Sequence, residues 1–128
     1  MAGELILIVE DDEWNRKLER DLLQFMGYRT LEAETGEDGV ALAAAHCPDL
    51  ILMDYLLPGI DGVEAFRRIR GAPATANIPI VAITASAMPE QARRMKDAGF
   101  DGFQSKPINV MEFMQSVSEM FSAKENKR

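Results

Sequence analysis

Five short apolar runs, Leu5 to Val9, Tyr28 to Ala33, Leu50 to Met53, Ile80 to Thr84 and Gly102 to Ser105, alternate along this chain with stretches of helical pattern. Few folds accept that rhythm. Strand-length runs separated by helices predict a parallel sheet with helices on both faces, because parallel neighbours need a long crossover and both faces must be covered. The runs at Leu5, Leu50 and Ile80 are apolar throughout rather than alternating, as expected of central strands. The run from Tyr28 carries Arg29, Thr30 and Glu32 and reads as a sheet edge.

The helical segments carry their own punctuation. Trp14 to Met26 places Leu18, Leu22 and Phe25 at helical spacing, and Gly27 follows where a left-handed terminal residue is wanted. Thr35 with Asp38 predicts a capping box at the start of an Ala-rich helix that stops at Cys47-Pro48. Val63 to Arg70 is expected to turn Phe66 and Ile69 inward. Pro89 opens a helix running to about Ala98. Asn109 and Glu112 open the last helix, on which Val110, Phe113, Met114, Val117 and Phe121 form one stripe.

The length of 128 residues fits one domain, 1–128, with 122–128 expected to fray. A hydrophobic fraction of 47% and a charged fraction of 27% are those of a globular protein. No apolar stretch approaches the roughly 18 residues of a membrane span. The N-terminal residues lack a signal-peptide pattern and the single Cys47 has no internal partner, so a cytoplasmic location is the expectation. A net charge of -7 offers no basic stripe to nucleic acid. Cys47 reads as a small buried residue, His46 as a helix-end residue away from any site, and Trp14 as packing beside the strand tips. Five of the eight methionines, at 88, 95, 111, 114 and 120, fall in the last third; Met114 suits the core, Met88 and Met95 an adaptable partner surface.

Chemistry in open parallel sheets gathers beyond the carboxyl ends of the strands. Here the first strand runs into Glu10-Asp11-Asp12, the third into Asp54, the fourth ends at Thr84, and Lys106 follows the fifth. Carboxylates about 4 Å apart repel by roughly 4 kcal/mol per pair at an effective dielectric of about 20. Such a cluster implies a compensating cation, and acidic oxygens suit Mg2+. Asp12, directly ahead of a helix, reads as its N-cap. Thr84 and Lys106 are then the groups to hold phosphoryl oxygens, and Asp54 is the carboxylate left to attack phosphorus.

Four segments, Ile8-Val9-Glu10-Asp11-Asp12, Asp49 to Gly62 around Asp54, Ile83-Thr84-Ala85 and Ser105-Lys106-Pro107, together resemble the receiver domain of two-component response regulators, from Leu5 to about Phe121. The resemblance implies a flavodoxin-like, doubly wound (β/α)5 fold with strand order 2-1-3-4-5. It implies that Asp54 accepts a phosphoryl group from a phosphohistidine on a sensor histidine kinase or a histidine phosphotransfer protein. Asp11, Asp54 and the backbone carbonyl of Leu56 would bind Mg2+, with Glu10 acting through a water, while Thr84 and Lys106 grip the phosphate. Lys106-Pro107 would be cis. Thr84 and the aromatic position, here Phe103, would form the switch that reshapes a target-binding face made of the fourth helix, fifth strand and fifth helix. Residues Leu56 and Ser86 would tune the phosphoryl lifetime. Stand-alone receivers, or receivers detached from hybrid kinases, share the opening pattern, and a monomer without turnover of an independent substrate is expected.

Two further readings remain at this stage. One is a hydrolase with an aspartyl-phosphate intermediate, as in haloacid dehalogenase-like phosphatases, although those place the nucleophile in an Asp-x-Asp pattern after the first strand. The other is a receiver-like scaffold that binds partners without phosphorylation.

Overall fold

The computed structural model describes residues 3–85 and 89–126. Five strands, β1 (Leu5–Val9), β2 (Arg29–Ala33), β3 (Leu50–Asp54), β4 (Ile80–Thr84) and β5 (Gly102–Ser105), form one sheet. All pairs are parallel and the order is β2-β1-β3-β4-β5, as the resemblance implied. The helices are α1 (Glu13–Phe25), α2 (Gly36–His46), α3 (Gly62–Gly71), α4 (Pro89–Ala98) and α5 (Val110–Asn126). Helix α5 thus passes Phe121, where its apolar stripe ends; of the tail expected to fray, residues 127 and 128 lie outside the described residues, as do Ser86 and Met88.

Strand pleating divides the interior. Leu7 and Val9 of β1 join Ile51, Met53, Ile80 and Ala82 in a core closed by α2, α3 and α4 through Ala43, Phe66, Ile69 and Met95. Ile6 and Ile8 point the other way and join Leu50, Leu52, Val81 and Ile83 beneath α1 and α5, through Leu23, Phe113, Val117 and Phe121. Uniform apolarity of the central strands follows directly, because both faces are dry. Asp49 fastens the start of β1 to β3: the Leu5 N–H donates to Asp49 Oδ2 (2.8 Å) and the Asp49 N–H to the Leu5 carbonyl (2.7 Å).

The predicted caps are present. Asp12 accepts from the Asn15 N–H at 2.8 Å, Thr35 Oγ1 from the Asp38 N–H at 3.1 Å, and Asn109 Oδ1 from the Glu112 N–H at 3.0 Å. Several side chains depart from the sequence reading. Phe25 and Trp14 face solvent, at 78% and 69% exposure, so of the Leu18–Leu22–Phe25 stripe Leu22 packs against the second core while Phe25 does not, and Trp14 is not buried by packing. The face that α1 buries is centred on Glu19 and Leu23. Met95 is fully buried in the first core rather than lying on a partner surface, and Val110 is exposed. Cys47 is exposed too, because it caps α2 in the left-handed region (φ 45°), which turns its side chain out of the core.

Candidate functional site

Parallel pairing sets the strand ends level. Val9 pairs with Met53, Asp54 with Ile83, and Thr84 with Ser105, so Glu10, Asp54, Thr84 and Lys106 emerge along one edge. Backbone hydrogen bonds extend each ladder past the strands: Glu10 N–H to the Ala33 carbonyl (3.0 Å), Tyr55 N–H to that of Ile83 (2.8 Å), and Lys106 N–H to that of Thr84 (2.8 Å). The site is therefore built on the strand ends and on the residues directly hydrogen-bonded to them. The Lys106–Pro107 peptide is cis.

Beneath Asp54 the packing is close. Gly62 opens α3 against the turn, and a Cβ there would stand 2.6 Å from the Asp54 carbonyl oxygen and 2.9 Å from that of Tyr55. Only hydrogen fits. The loop between carries Gly59 at φ 78°, a conformation that L side chains rarely adopt.

Carboxylate oxygens of Glu10, Asp11 and Asp54 lie within 4.8 Å of one another, Glu10 and Asp54 buried and Asp11 exposed. Lys106 is the counter-charge. Its Nζ donates to Asp54 Oδ2 at 3.0 Å and stands 2.9 Å from Glu10 Oε1, close as an ion pair but poorly aligned as a hydrogen bond. The Asp12 N–H donates to Glu10 Oε2 (3.1 Å) and the Leu56 N–H to Asp54 Oδ1 (3.3 Å). Thr84 is buried at the tip of β4, and Phe103 stands about half exposed on β5.

The electrostatics are those of excess buried negative charge. Burial pushes the Glu10 carboxyl from the usual 4.5 up to about 7; Lys106 pulls against that, and Asp54 adds to it. Burial would lower the Lys106 ammonium, but its contacts with Glu10 and Asp54 outweigh this and raise it. The donor set suits a hard divalent cation: oxygen ligands only, three carboxylates within reach of one ion, and a Glu10 oxygen that is buried without an aligned hydrogen bond.

Every described site residue named from the sequence stands at this edge except Phe103, which lies along β5; Ser86 is outside the described residues. Sequence reasoning missed Glu19. It is 1% exposed, both its oxygens lack a hydrogen-bond partner among the described residues, and burial, then the charge of Glu10, holds it well above the ordinary carboxylate range. A charged residue within an amphipathic helix gives no sign of burial. The spacing of Glu19, Leu23 and Met26, one helical stripe, is the only signal.

A five-stranded parallel sheet with an acidic trio, a threonine and a lysine at its carboxyl edge defines a class, and the chain belongs to the response regulator receiver domain family, matched over residues 6–118. Receivers of this kind are signalling modules of two-component systems. Among curated proteins, the chain is 39% identical to the polar-differentiation response regulator DivK of Brucella ovis, over 88% of this chain and 91% of that one. It also resembles the receiver domain of the sensor histidine kinase PA1611 of Pseudomonas aeruginosa, solved with a magnesium ion coordinated in the active-site cleft. That match has a TM-score of 0.85 and 33% identity, covering 92% of this chain and 97% of that one. The chemotaxis response regulator CheY4 of Vibrio cholerae matches with TM-score 0.85 and 27% identity, over 93% and 98% of the two chains. Among the described residues, no helix is long and apolar enough to cross a membrane.

Proposed function

We propose that this protein is a phosphoacceptor of a two-component phosphorelay, with Asp54 as the accepting residue and a protein-interaction face as its output. The observation that carries the reading is the Asp54 carboxylate, buried, bracketed by Lys106 and the Leu56 N–H, and set on a strand end. In the transfer, an Asp54 oxygen attacks phosphorus as the P–N bond of a donor phosphohistidine breaks, and the bonding pair returns to the imidazole nitrogen. Lys106 holds one developing negative oxygen and the Thr84 hydroxyl another. Glu10, Asp11, Asp54 and the Leu56 carbonyl are the groups to hold Mg2+, which when bound neutralises charge on the acids and on the incoming phosphoryl group.

After transfer, Lys106 and Thr84 are drawn to the phosphoryl oxygens. Phe103, already partly exposed, repacks, so the surface of α4, β5 and α5 becomes the face read by a target protein. Phe103 has no hydroxyl, so this readout works by packing alone. The donor is a sensor histidine kinase or a histidine phosphotransfer protein. A protein that only relays a phosphoryl group needs no enclosed substrate pocket, and neither the groove between α3 and α4 nor the one beside β2 is lined by Glu10, Asp11 or Asp54.

The test is the intact mass after incubation with acetyl phosphate and Mg2+, beside Asp54→Asn. One added phosphoryl group that requires Mg2+ and is absent from the variant is expected. An unphosphorylated protein, or equal labelling of Asp54→Asn, would refute the assignment.

A further inference from the structure

The acid trio begins at a peptide, the Glu10–Asp11 link, that the strand has already left. The peptide before it, Val9–Glu10, is fixed by β2, through the Glu10 N–H to the Ala33 carbonyl (3.0 Å). The carbonyl of the Glu10–Asp11 link is held by one side chain. Arg16, on the first turn of α1, donates from Nη1 to the Glu10 carbonyl oxygen at 3.0 Å, while its Nε lies 3.2 Å from Glu32 Oε1 on β2. Glu34 Oε1 stands 3.9 Å from Nη1 on the same side. The Arg16 side chain is 14% exposed, against 31% for Glu32 and 71% for Glu34, so the carbonyl contact and the Glu32 pair are the better shielded of the three.

We propose that Arg16 is a positioning residue for the acid pocket, fixing the Glu10–Asp11 peptide plane between β1 and β2 and thereby the places of both carboxylates. The inference rests on the reading of Glu10 and Asp11 as the Mg2+ ligands. A planar fork is suited to this, since one arm grips a neutral carbonyl and another is anchored by Glu32, so the carbonyl cannot swing without breaking an ion pair. A lysine has the charge but not the fork. Both carboxylates hang from the restrained peptide, Glu10 inward toward Lys106 and Asp11 outward to solvent, so rotation of that plane would separate them.

Charge and position predict opposite signs here. Were Arg16 merely a cation near the site, deleting it would tighten Mg2+ binding. If it holds the peptide, deleting it weakens binding, by about tenfold or more, as is usual when the groups that orient metal ligands are removed. Arg20 supplies the matched control. It lies one turn further along α1 and also pairs with Glu32, at 3.4 Å, but its bonds go to Asp21 and Glu32 side chains rather than to the Glu10 backbone.

The experiment compares the full chain with Arg16→Met, Arg16→Lys and Arg20→Met, all verified as folded by circular dichroism at the assay temperature. The rate of phosphorylation by acetyl phosphate is followed against Mg2+ concentration. The expected result is a half-saturating Mg2+ concentration raised about tenfold or more in Arg16→Met, less in Arg16→Lys, and within about twofold of wild type in Arg20→Met. The rate at saturating Mg2+ should change little, a split that general destabilisation would not give. Unchanged or tighter Mg2+ dependence in Arg16→Met, or equal weakening in Arg20→Met, would overturn the role of Arg16. A wild-type protein phosphorylated without Mg2+ would overturn the ligand reading and this inference with it.

Discussion

Raising the pH should weaken this protein when metal is removed, and Glu10 should account for a measurable part of the loss. Its carboxyl is pushed from 4.5 up to about 7 by burial, so the folded state keeps a proton that the unfolded chain releases. A raised carboxyl contributes stability that is complete below about pH 4.5 and disappears as pH passes 7. At about 1.36 kcal/mol per pH unit, the loss is on the order of 3 kcal/mol, a large share of the roughly 5–15 kcal/mol of a typical domain. Lys106, raised from an already high value, stays protonated in both states across this range and leaves the slope unchanged. Glu19, raised by burial and by the charge of Glu10, acts in the same direction as Glu10. The assay is urea denaturation in chelator between pH 5 and 8, on wild type, Glu10→Gln and Glu10→Gln/Glu19→Gln. The slope should flatten in the first variant and more in the second. Mg2+ should restore wild-type stability most strongly above pH 7, by about 2.7 kcal/mol at a hundred times its dissociation constant. A metal-free Glu10→Gln protein with the wild-type slope would refute the reasoning.

Other substitutions separate the fold from the site. Glu19→Leu exchanges a buried carboxyl lacking hydrogen-bond partners for an apolar side chain of similar volume, and should raise metal-free stability at pH 7.5 by about 1–3 kcal/mol in urea; no gain would show that the group finds a partner. Gly62→Ala forces a methyl against the Asp54 and Tyr55 carbonyl oxygens, so it should destabilise by about 1–3 kcal/mol and slow acetyl phosphate labelling about tenfold or more. Asp101→Ala strips the acceptor from the Ile80 N–H (2.8 Å) and from Arg70. It should lose about 1–3 kcal/mol in thermal or urea unfolding while labelling proceeds at the wild-type rate. Asp11→Asn should stabilise the metal-free protein and blunt its Mg2+ response; identical melting with and without Mg2+ in both proteins would count against a clustered site.

Most of the fold and the strand-tip residues were legible because they depend on local pattern. Dry strands are apolar throughout, caps announce themselves at Asp12, Thr35 and Asn109, and the sheet needs only that each strand end where its apolar run ends. Side-chain facing on α1 was not legible. Leu18, Leu22 and Phe25 make a plausible inner stripe, but the buried face is centred on Leu23, with Leu22 at its margin, and Phe25 is left in solvent. Periodicity reports that a helix has an apolar face, not which of two overlapping faces the sheet accepts. Glu19 was lost for the same reason. Arg16 escaped because its partner is a backbone carbonyl, which no pattern of side chains displays. Met95 and Cys47 exchanged expectations, since adaptable Met filled the core and a left-handed cap placed the thiol outside.

The division of β1 between two cores sets a limit on what hydrophobic packing can guarantee. A slip of one residue would trade Leu7 and Val9 for Ile6 and Ile8 and is opposed by both cores at once. A slip of two residues keeps every aliphatic side chain on its own side, so burial alone hardly resists it. Yet it would carry Glu10 along the strand by about 6.6 Å, beyond the 4.8 Å that spans the three carboxylates. The safeguard is polar and sits at the opposite end of the strand, where Asp49 holds Leu5 by its N–H and its carbonyl. A residue remote from the acids thus acts as the zero mark from which their position is measured, and length changes between Leu5 and Glu10 should be tolerated by the fold sooner than by the chemistry.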